Sequence, residues 1–219
     1  MQRGVAVRDQ TIAKWLEALA SPAPAPGGGA AAALNAAIGA ALIEMACNLT
    51  IGRPGYAQQE AGMRAALAEA AKLRSRALHL AAADVEAFGA VSEAYKLPKE
   101  TDEQRQARTR QIQRTLVGAT EVPLNTAVLA GEVIQLASRI VDGANVNVLA
   151  DVAAAVVAAR AALEVALVNV EANLPAISDS ARGKELSERR AEVSGLAAEA
   201  ERSLRCIRTG ISERGSSGT

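Results

Sequence analysis

The chain has 219 residues, half of them apolar but only four aromatic, with 24 basic and 24 acidic side chains and one histidine. Balanced charge provides no general attraction for polyanions, and so few rings offer bases little to stack on, so nucleic-acid binding is not expected. The two cysteines, Cys47 and Cys206, make no metal-binding or disulfide spacing, which points to a reducing cytoplasm.

Met1–Arg8 lacks the apolar core of a signal peptide. Ile12, Trp15, Leu16 and Leu19 then fall at helical spacing, predicting a helix over 9–20 with Asp9 as its N-cap. A proline-rich and glycine-rich loop covers 21–28. A second helix spans 29–51, with Leu34, Ile38, Leu42, Met45 and Leu49 on one broad face. Its Ala/Gly content, Asn35 and Glu44 argue against a membrane span. A third helix over 56–94 would be about 58 Å long. Thr101 and Gln104 have capping-box spacing and open a fourth helix. Pro123 interrupts that pattern, predicting one kinked helix or two abutting ones ending near Val141. A turn at 143–147, a helix over 148–173, a last helix over 183–208 and a frayed tail over 214–219 complete the chain.

Alanine favours helix over strand, and no strand pattern competes. The expected fold is all-α: one domain, 1–213, forming a bundle of long antiparallel helices. Alanine-rich faces such as 150–162 allow close helix approach. A thin bundle also leaves apolar surface uncovered, so a homodimer is expected.

Few residues are equipped for chemistry. His79 stands alone in mid-helix and reads as structural. No spacing suggests a metal site, and no phosphate-loop motif is present. Glu44, Asp84 and Asp151 are carboxylates inside apolar helical stretches. Each either faces water or caps a helix, or else is desolvated with a raised pKa suited to proton transfer. Lys96 and Lys99 bring two cations to one loop, as dipole compensation or as an anion site. Asn145 and Asn147 suit a turn, while Asn169 and Asn173 share a helical face and can bond a heterocycle edge or a neighbouring helix. Gly27, Gly28 and Gly29 present backbone N–H groups at a helix start, which suits an anion or a polar ring edge.

These pieces come in a particular order: Pro26–Gly29; Ala41–Met45 and Asn48–Thr50; Asp84, Phe88 and Ala94–Lys99; Arg108, Ile112–Gln113 and Glu121–Leu124; Gly143–Asp151; Asn169 and Asn173–Leu174. The series, over roughly 9–177, resembles the cyclodeaminase/cyclohydrolase family. That resemblance implies an all-helical homodimer acting on a one-carbon tetrahydrofolate, with no metal and no tightly bound cofactor. The leading expectation is a methenyltetrahydrofolate cyclohydrolase, and the alternative is a formiminotetrahydrofolate cyclodeaminase. Carried over by position, Asp84 and Asp151 would transfer protons, and Lys99, with Arg108 as second choice, would hold anionic substrate groups or polarise the oxygen of the reacting carbon. Arg108, Gln113, Asn147 and Gly27–Gly29 would bind substrate. Two positions depart from the family pattern: Ala30 follows the glycines where a hydroxyl is common, and Ala150 precedes Asp151 where a serine is common. They motivate a rival expectation, a non-enzymatic helical assembly protein that kept the fold.

Overall fold

Every regular element among the described residues, 9–215 of this computed structural model, is a helix. In chain order these are α1 (Ile12–Ala20), α2 (Gly28–Asn48), α3 (Glu60–Tyr95), α4 (Asp102–Ile140), α5 (Leu149–Asn173), α6 (Ser180–Ser194) and α7 (Leu196–Gly215), with 3-10 turns at Pro54–Gln59, Val146–Val148 and Leu174–Ala176. α2 to α5 run alternately up and down as an antiparallel four-helix bundle. α2 packs on α3 and α5, α4 closes the opposite corner, α7 lies along α5 and α6 lies against α4.

Small side chains set how close these helices come. The buried side of α2 is mostly alanine and glycine, with Ile43 as its one large member. At Gly39 the approach to α5 is so close that a Cβ would lie 2.9 Å from the Ala155 carbonyl oxygen. Of the larger side chains read as one broad face of α2, Ile38 (52% exposed), Met45 and Leu49 therefore point outward, while Leu34 is half-buried and Leu42 packs against the core. Leucine-sized groups inside would hold the backbones apart and forfeit the dispersion contacts.

Several boundaries differ from the sequence reading. α1 starts at Ile12, with Thr11 rather than Asp9 as N-cap; its Oγ1 accepts the Lys14 N–H. α2 ends at Asn48, and a 3-10 turn precedes α3. The capping box at Thr101 and Gln104 is present. α4 runs through Pro123 unbroken, because the carbonyl that this proline leaves without a helical donor, Ala119, accepts from Asn173 Nδ2 at 3.1 Å. The last helix is two helices meeting at Gly195, the first capped by Asp179. The helix includes Arg214 and Gly215, the first two residues of the stretch read as a frayed tail; residues 216–219 lie outside the described residues, as do Met1–Arg8.

α3 and α4 outrun the rest of the bundle. α3 continues eleven residues past Asp84, about 16 Å, and with α4 forms an arm cored by Ala94, Ile112 and Leu116. The α2 and α5 segments, Gly28–Asn48 and Val146–Ala176, are long and apolar enough to cross a membrane by length and composition, yet their most apolar stretches are 56% and 44% buried inside the bundle. The remainder is an outer face carrying Ile38, Met45 and Leu49 beside Val157, Val165 and Val168. One charge, Glu164, stands on this side of α5 and pairs with Arg160, while Glu44 pairs with Arg74 on α3, Arg160 also with Glu201 on α7, and Glu171 with Arg190 on α6.

Two glycines should respond oppositely to alanine. Gly39→Ala should cost roughly 1–3 kcal/mol through overpacking, lowering the melting temperature by about 3–10 °C. Gly118→Ala, with open space around it, should stabilise by up to about 1 kcal/mol. In the same melting experiments, Asn173→Ala should cost about 1 kcal/mol, and less in a Pro123→Ala background, where Ala119 regains a helical donor.

Candidate active site at the start of α2

Gly27 caps α2 in an extended conformation, with no side chain to accept the first-turn N–H groups. Such groups have no acceptor within their own helix. Asp84, reaching over from α3, supplies one: its carboxylate accepts the Ala30 N–H. Glycine permits this approach, since a Cβ on Gly29 would lie 2.0 Å from Asp84 Oδ1. A Cβ on Gly28 would face α5 instead, 3.5 Å from Asn169 Nδ2. Three segments thus converge at one level of the bundle: the glycine loop, Asp84 and Asn169. Burial pushes the Asp84 carboxyl above the ordinary carboxylate range, and the Ala30 N–H draws it back only in part. A carboxyl so placed is suited to hold and release a proton beside the positive end of a helix.

Asp151 is elsewhere. The buried Asn145 organises the start of α5: its N–H donates to Thr50 Oγ1 at 2.9 Å, its Nδ2 to the Leu49 carbonyl at 3.0 Å, and its Oδ1 accepts the Asn147 N–H at 3.0 Å. This leaves Asn147 exposed and Asp151 half-buried one turn further on. Asp151 and Asn169 are eighteen residues apart, five full turns, so they project from the same side of α5 about 27 Å apart. Within one chain, the two expected proton-transfer carboxylates therefore stand at opposite ends of the bundle.

The remaining expected residues lie on the α3–α4 arm. Lys99 is exposed at its tip. Arg108 stacks over the Tyr95 ring, 5.6 Å from its centroid, and donates to the Tyr95 carbonyl at 3.1 Å. Gln113 bridges two backbone groups, donating to Ala176 O and accepting from Ser178 N, and so ties the α5–α6 connection to the arm. Gln113 is ten residues, about 15 Å, further out than Pro123, which sits near the Asp84 level.

His79 lies on the exposed side of α3, with Nδ1 2.7 Å from the Ser75 carbonyl. Glu44 is half-buried in a two-pronged pair with Arg74 at 2.5 and 3.2 Å. Among the described residues, no three His, Cys, Asp or Glu side chains group to hold a metal. Ala30 is wholly buried, so a hydroxyl there would serve the packing beside Asp84, whereas Ala150 is exposed on the outer face of α5. Asn169 was legible only as an unexplained amide in a helix; its position beside Gly28 depends on the α2–α5 register. A groove of about 520 Å³, lined by Trp15, Leu34, Ile38, Arg74 and Leu78, runs between α1, α2 and α3 without reaching Asp84.

A family model described as formiminotransferase-cyclodeaminase matches residues 11–192. The chain is 45% identical, over 88% of its length and 91% of the relative's, to a methenyltetrahydrofolate cyclohydrolase of Methylorubrum extorquens. It is 32% identical, over 78% of its length, to the formimidoyltransferase-cyclodeaminase of Rattus norvegicus, of which the match spans about a third (32%). The crystal structure of formiminotetrahydrofolate cyclodeaminase from Thermotoga maritima superposes with a TM-score of 0.81 at 26% identity, covering 94% of this chain and 98% of that one.

A carboxyl whose pKa is raised by folding holds its proton more tightly in the folded chain. Its contribution to stability is fully present below its unfolded-state pKa and is lost as pH rises through its folded-state pKa. Asp84→Asn keeps an acceptor for the Ala30 N–H and removes the desolvated charge, so it should melt higher than the parent at pH 8. The gain should shrink as pH falls through the Asp84 pKa. A lower melting temperature at pH 8 would show that the ionised cap outweighs desolvation.

Proposed function

The chain belongs to the formiminotransferase-cyclodeaminase family, and from that premise we propose that it is a methenyltetrahydrofolate cyclohydrolase, adding water to 5,10-methenyltetrahydrofolate to give 10-formyltetrahydrofolate. The observation that carries this reading is 45% identity along nearly the whole of a cyclohydrolase.

The substrate carbon bridges N5 and N10 and is electrophilic, because the bridge carries a delocalised positive charge. Water attacks that carbon as a base takes its proton. The tetrahedral carbinol then collapses: its hydroxyl gives up the second proton as the C=O bond forms, the C–N5 bond breaks, N5 receives a proton and the formyl group stays on N10, with one proton released overall. Every step moves water or protons, so the reading needs neither a redox cofactor nor a resident metal. Asp84 is assigned the proton transfers, since burial raises its carboxyl above the ordinary carboxylate range and a raised pKa makes a carboxylate a better proton acceptor. The first-turn amides of α2 suit the negative charge that develops on the attacking oxygen. Gly27–Gly29 leave room for a ring edge there, and Asn169 offers an amide beside them. Asp151 and Asn147 are assigned a second part of the site. Lys99 and Arg108, well out on the arm, suit the carboxylates of the folate tail better than the reacting carbon, and Gln113 holds the arm in place. We assign the working form to a homodimer, on the strength of the uncovered apolar face of α2 and α5. We place it in the cytoplasm on the strength of the two unpaired cysteines.

A second reading is favoured by the likeness to the Thermotoga cyclodeaminase: closure of 5-formiminotetrahydrofolate with loss of ammonia. Both reactions pass through a tetrahedral carbon between N5 and N10. Near-ultraviolet absorbance separates them. Purified protein should speed the loss of methenyltetrahydrofolate absorbance, and Asp84→Asn should slow it by about 10²–10⁴-fold. A rate equal to buffer alone sinks the cyclohydrolase reading, and absorbance appearing from formiminotetrahydrofolate would replace it with the cyclodeaminase.

A further inference from the structure

One stripe of α3 faces inward along most of its length. Met63, Ala66, Ala70, Leu73, Ala77 and Ala81 recur at three- and four-residue steps, and all are buried. The next members at the same steps are Asp84, Phe88, Val91 and Tyr95. Asp84 meets the first turn of α2 at Gly29, and past that level α2 no longer runs beside the stripe. Burial stops there: Phe88 is 44% and Tyr95 51% exposed, while Val91 packs into the core of the arm. The composition changes at the same point, with small alanines where a helix must approach and rings where none does. Two of the four aromatic side chains in the protein thus stand on one open shelf that begins at the Asp84 carboxyl. Rings of this size are ordinarily buried, and no helix of this chain covers them here.

We propose that this shelf seats the aryl group bonded to N10 of the substrate, and that Phe88 is a specificity-determining residue that stacks on that ring. The proposal rests on the folate reading of the Asp84 site. Spacing supports it. Phe88 stands one turn, about 6 Å, beyond Asp84 along α3, and Tyr95 stands about 16 Å beyond it. In methenyltetrahydrofolate the aryl ring is bonded directly to N10, so its centre lies about 4 Å from the reacting carbon. A carbon within reach of the Asp84 carboxyl therefore brings the ring to the level of Phe88. The amide and glutamate beyond the ring span roughly 7–9 Å more when extended. That carries the carboxylates towards Tyr95, where the Arg108 guanidinium lies 5.6 Å from the ring centroid. Arg108 already lies over the Tyr95 ring, so Phe88 is the one assigned to the substrate. The arm offers a carboxyl, a ring and a cation in sequence. The substrate offers an electrophilic carbon, a benzoyl ring and carboxylates in the same sequence. An offset or edge-on ring pair contributes beyond the area it buries, which gives the exposed Phe88 a role that packing within the chain does not.

Turnover of methenyltetrahydrofolate by Phe88 variants tests this. Phe88→Ala should raise KM by about 2- to 12-fold, the range of an aromatic pair. It should leave kcat nearly unchanged, since the ring is held alike before and during the reaction. Phe88→Tyr should keep the parent KM, and Phe88→Leu should fall between. Because Phe88 is already open to solvent, all three should melt close to the parent. An unchanged KM in Phe88→Ala, or a loss confined to kcat, overturns the shelf while parent turnover leaves the folate reading standing. A second readout needs no turnover. In saturation-transfer NMR, p-aminobenzoylglutamate should receive magnetisation from the parent protein at its ring protons, and Phe88→Ala should remove most of it. Equal transfer from the two proteins, including none from either, overturns the proposal. Transfer that depends on Phe88, in a chain that turns over neither methenyltetrahydrofolate nor formiminotetrahydrofolate, would sink the enzymatic reading and leave the aryl shelf standing.

Discussion

Close backbone approach between α2 and its neighbours is the constraint on which the rest of this structure depends. Alanine and glycine line the buried side of α2, and at Gly39 there is no room for even one carbon atom against α5. Because these side chains fill the interior so thinly, the helices meet at short range and keep a fixed register. That register brings Asp84 over the start of α2 and Asn169 beside Gly28. The same economy of volume sends Ile38, Met45 and Leu49 outward. The narrow core and the uncovered apolar face are thus two results of one composition.

The start of α2 shows a conflict between stability and chemistry. A carboxylate above first-turn N–H groups is an ordinary helix cap, favoured by the dipole. Its burial opposes ionisation and raises its pKa. A cap built for stability alone would be an exposed serine, threonine or aspartate on the preceding residue, as Thr11 and Asp179 are for α1 and α6. Here the preceding residue is Gly27, which contributes no side chain, and the acceptor is borrowed from another helix. The arrangement gives up stability for a carboxyl that can exchange protons where a ligand can reach the helix terminus.

Much of the architecture was legible because the signals were local. Helical spacing of apolar residues, the Thr101–Gln104 capping box and the glycine loop each depend on neighbours within a few positions. The misread elements depended on distant partners. Pro123 leaves one kinked helix or two abutting ones open until Asn173, fifty residues on, supplies a hydrogen bond to Ala119 within a single helix. The final helix reads as one because its apolar residues continue the pattern, although Gly195 divides it. Gln113 and Arg108 are expected to bind substrate, and only the folded chain shows that they also contact backbone groups and the Tyr95 ring. Of the carboxylates, Asp84 could be singled out by its apolar setting, but neither its contact with Ala30 nor its distance from Asp151 is written in any local pattern.

By itself the sequence determined an all-helical chain of this family, since alanine-rich periodicity and the order of short motifs are properties of the chain read in one dimension. Only the tertiary structure decided which end of the bundle each candidate residue occupies and which face of α2 is the inside. Those outcomes follow from antiparallel register, and register is fixed by where glycine and alanine let two backbones touch. A helix seen alone offers all its faces equally; contact with α3 and α5 is what turned one face of α2 into core, one end into a site, and the rest into open surface.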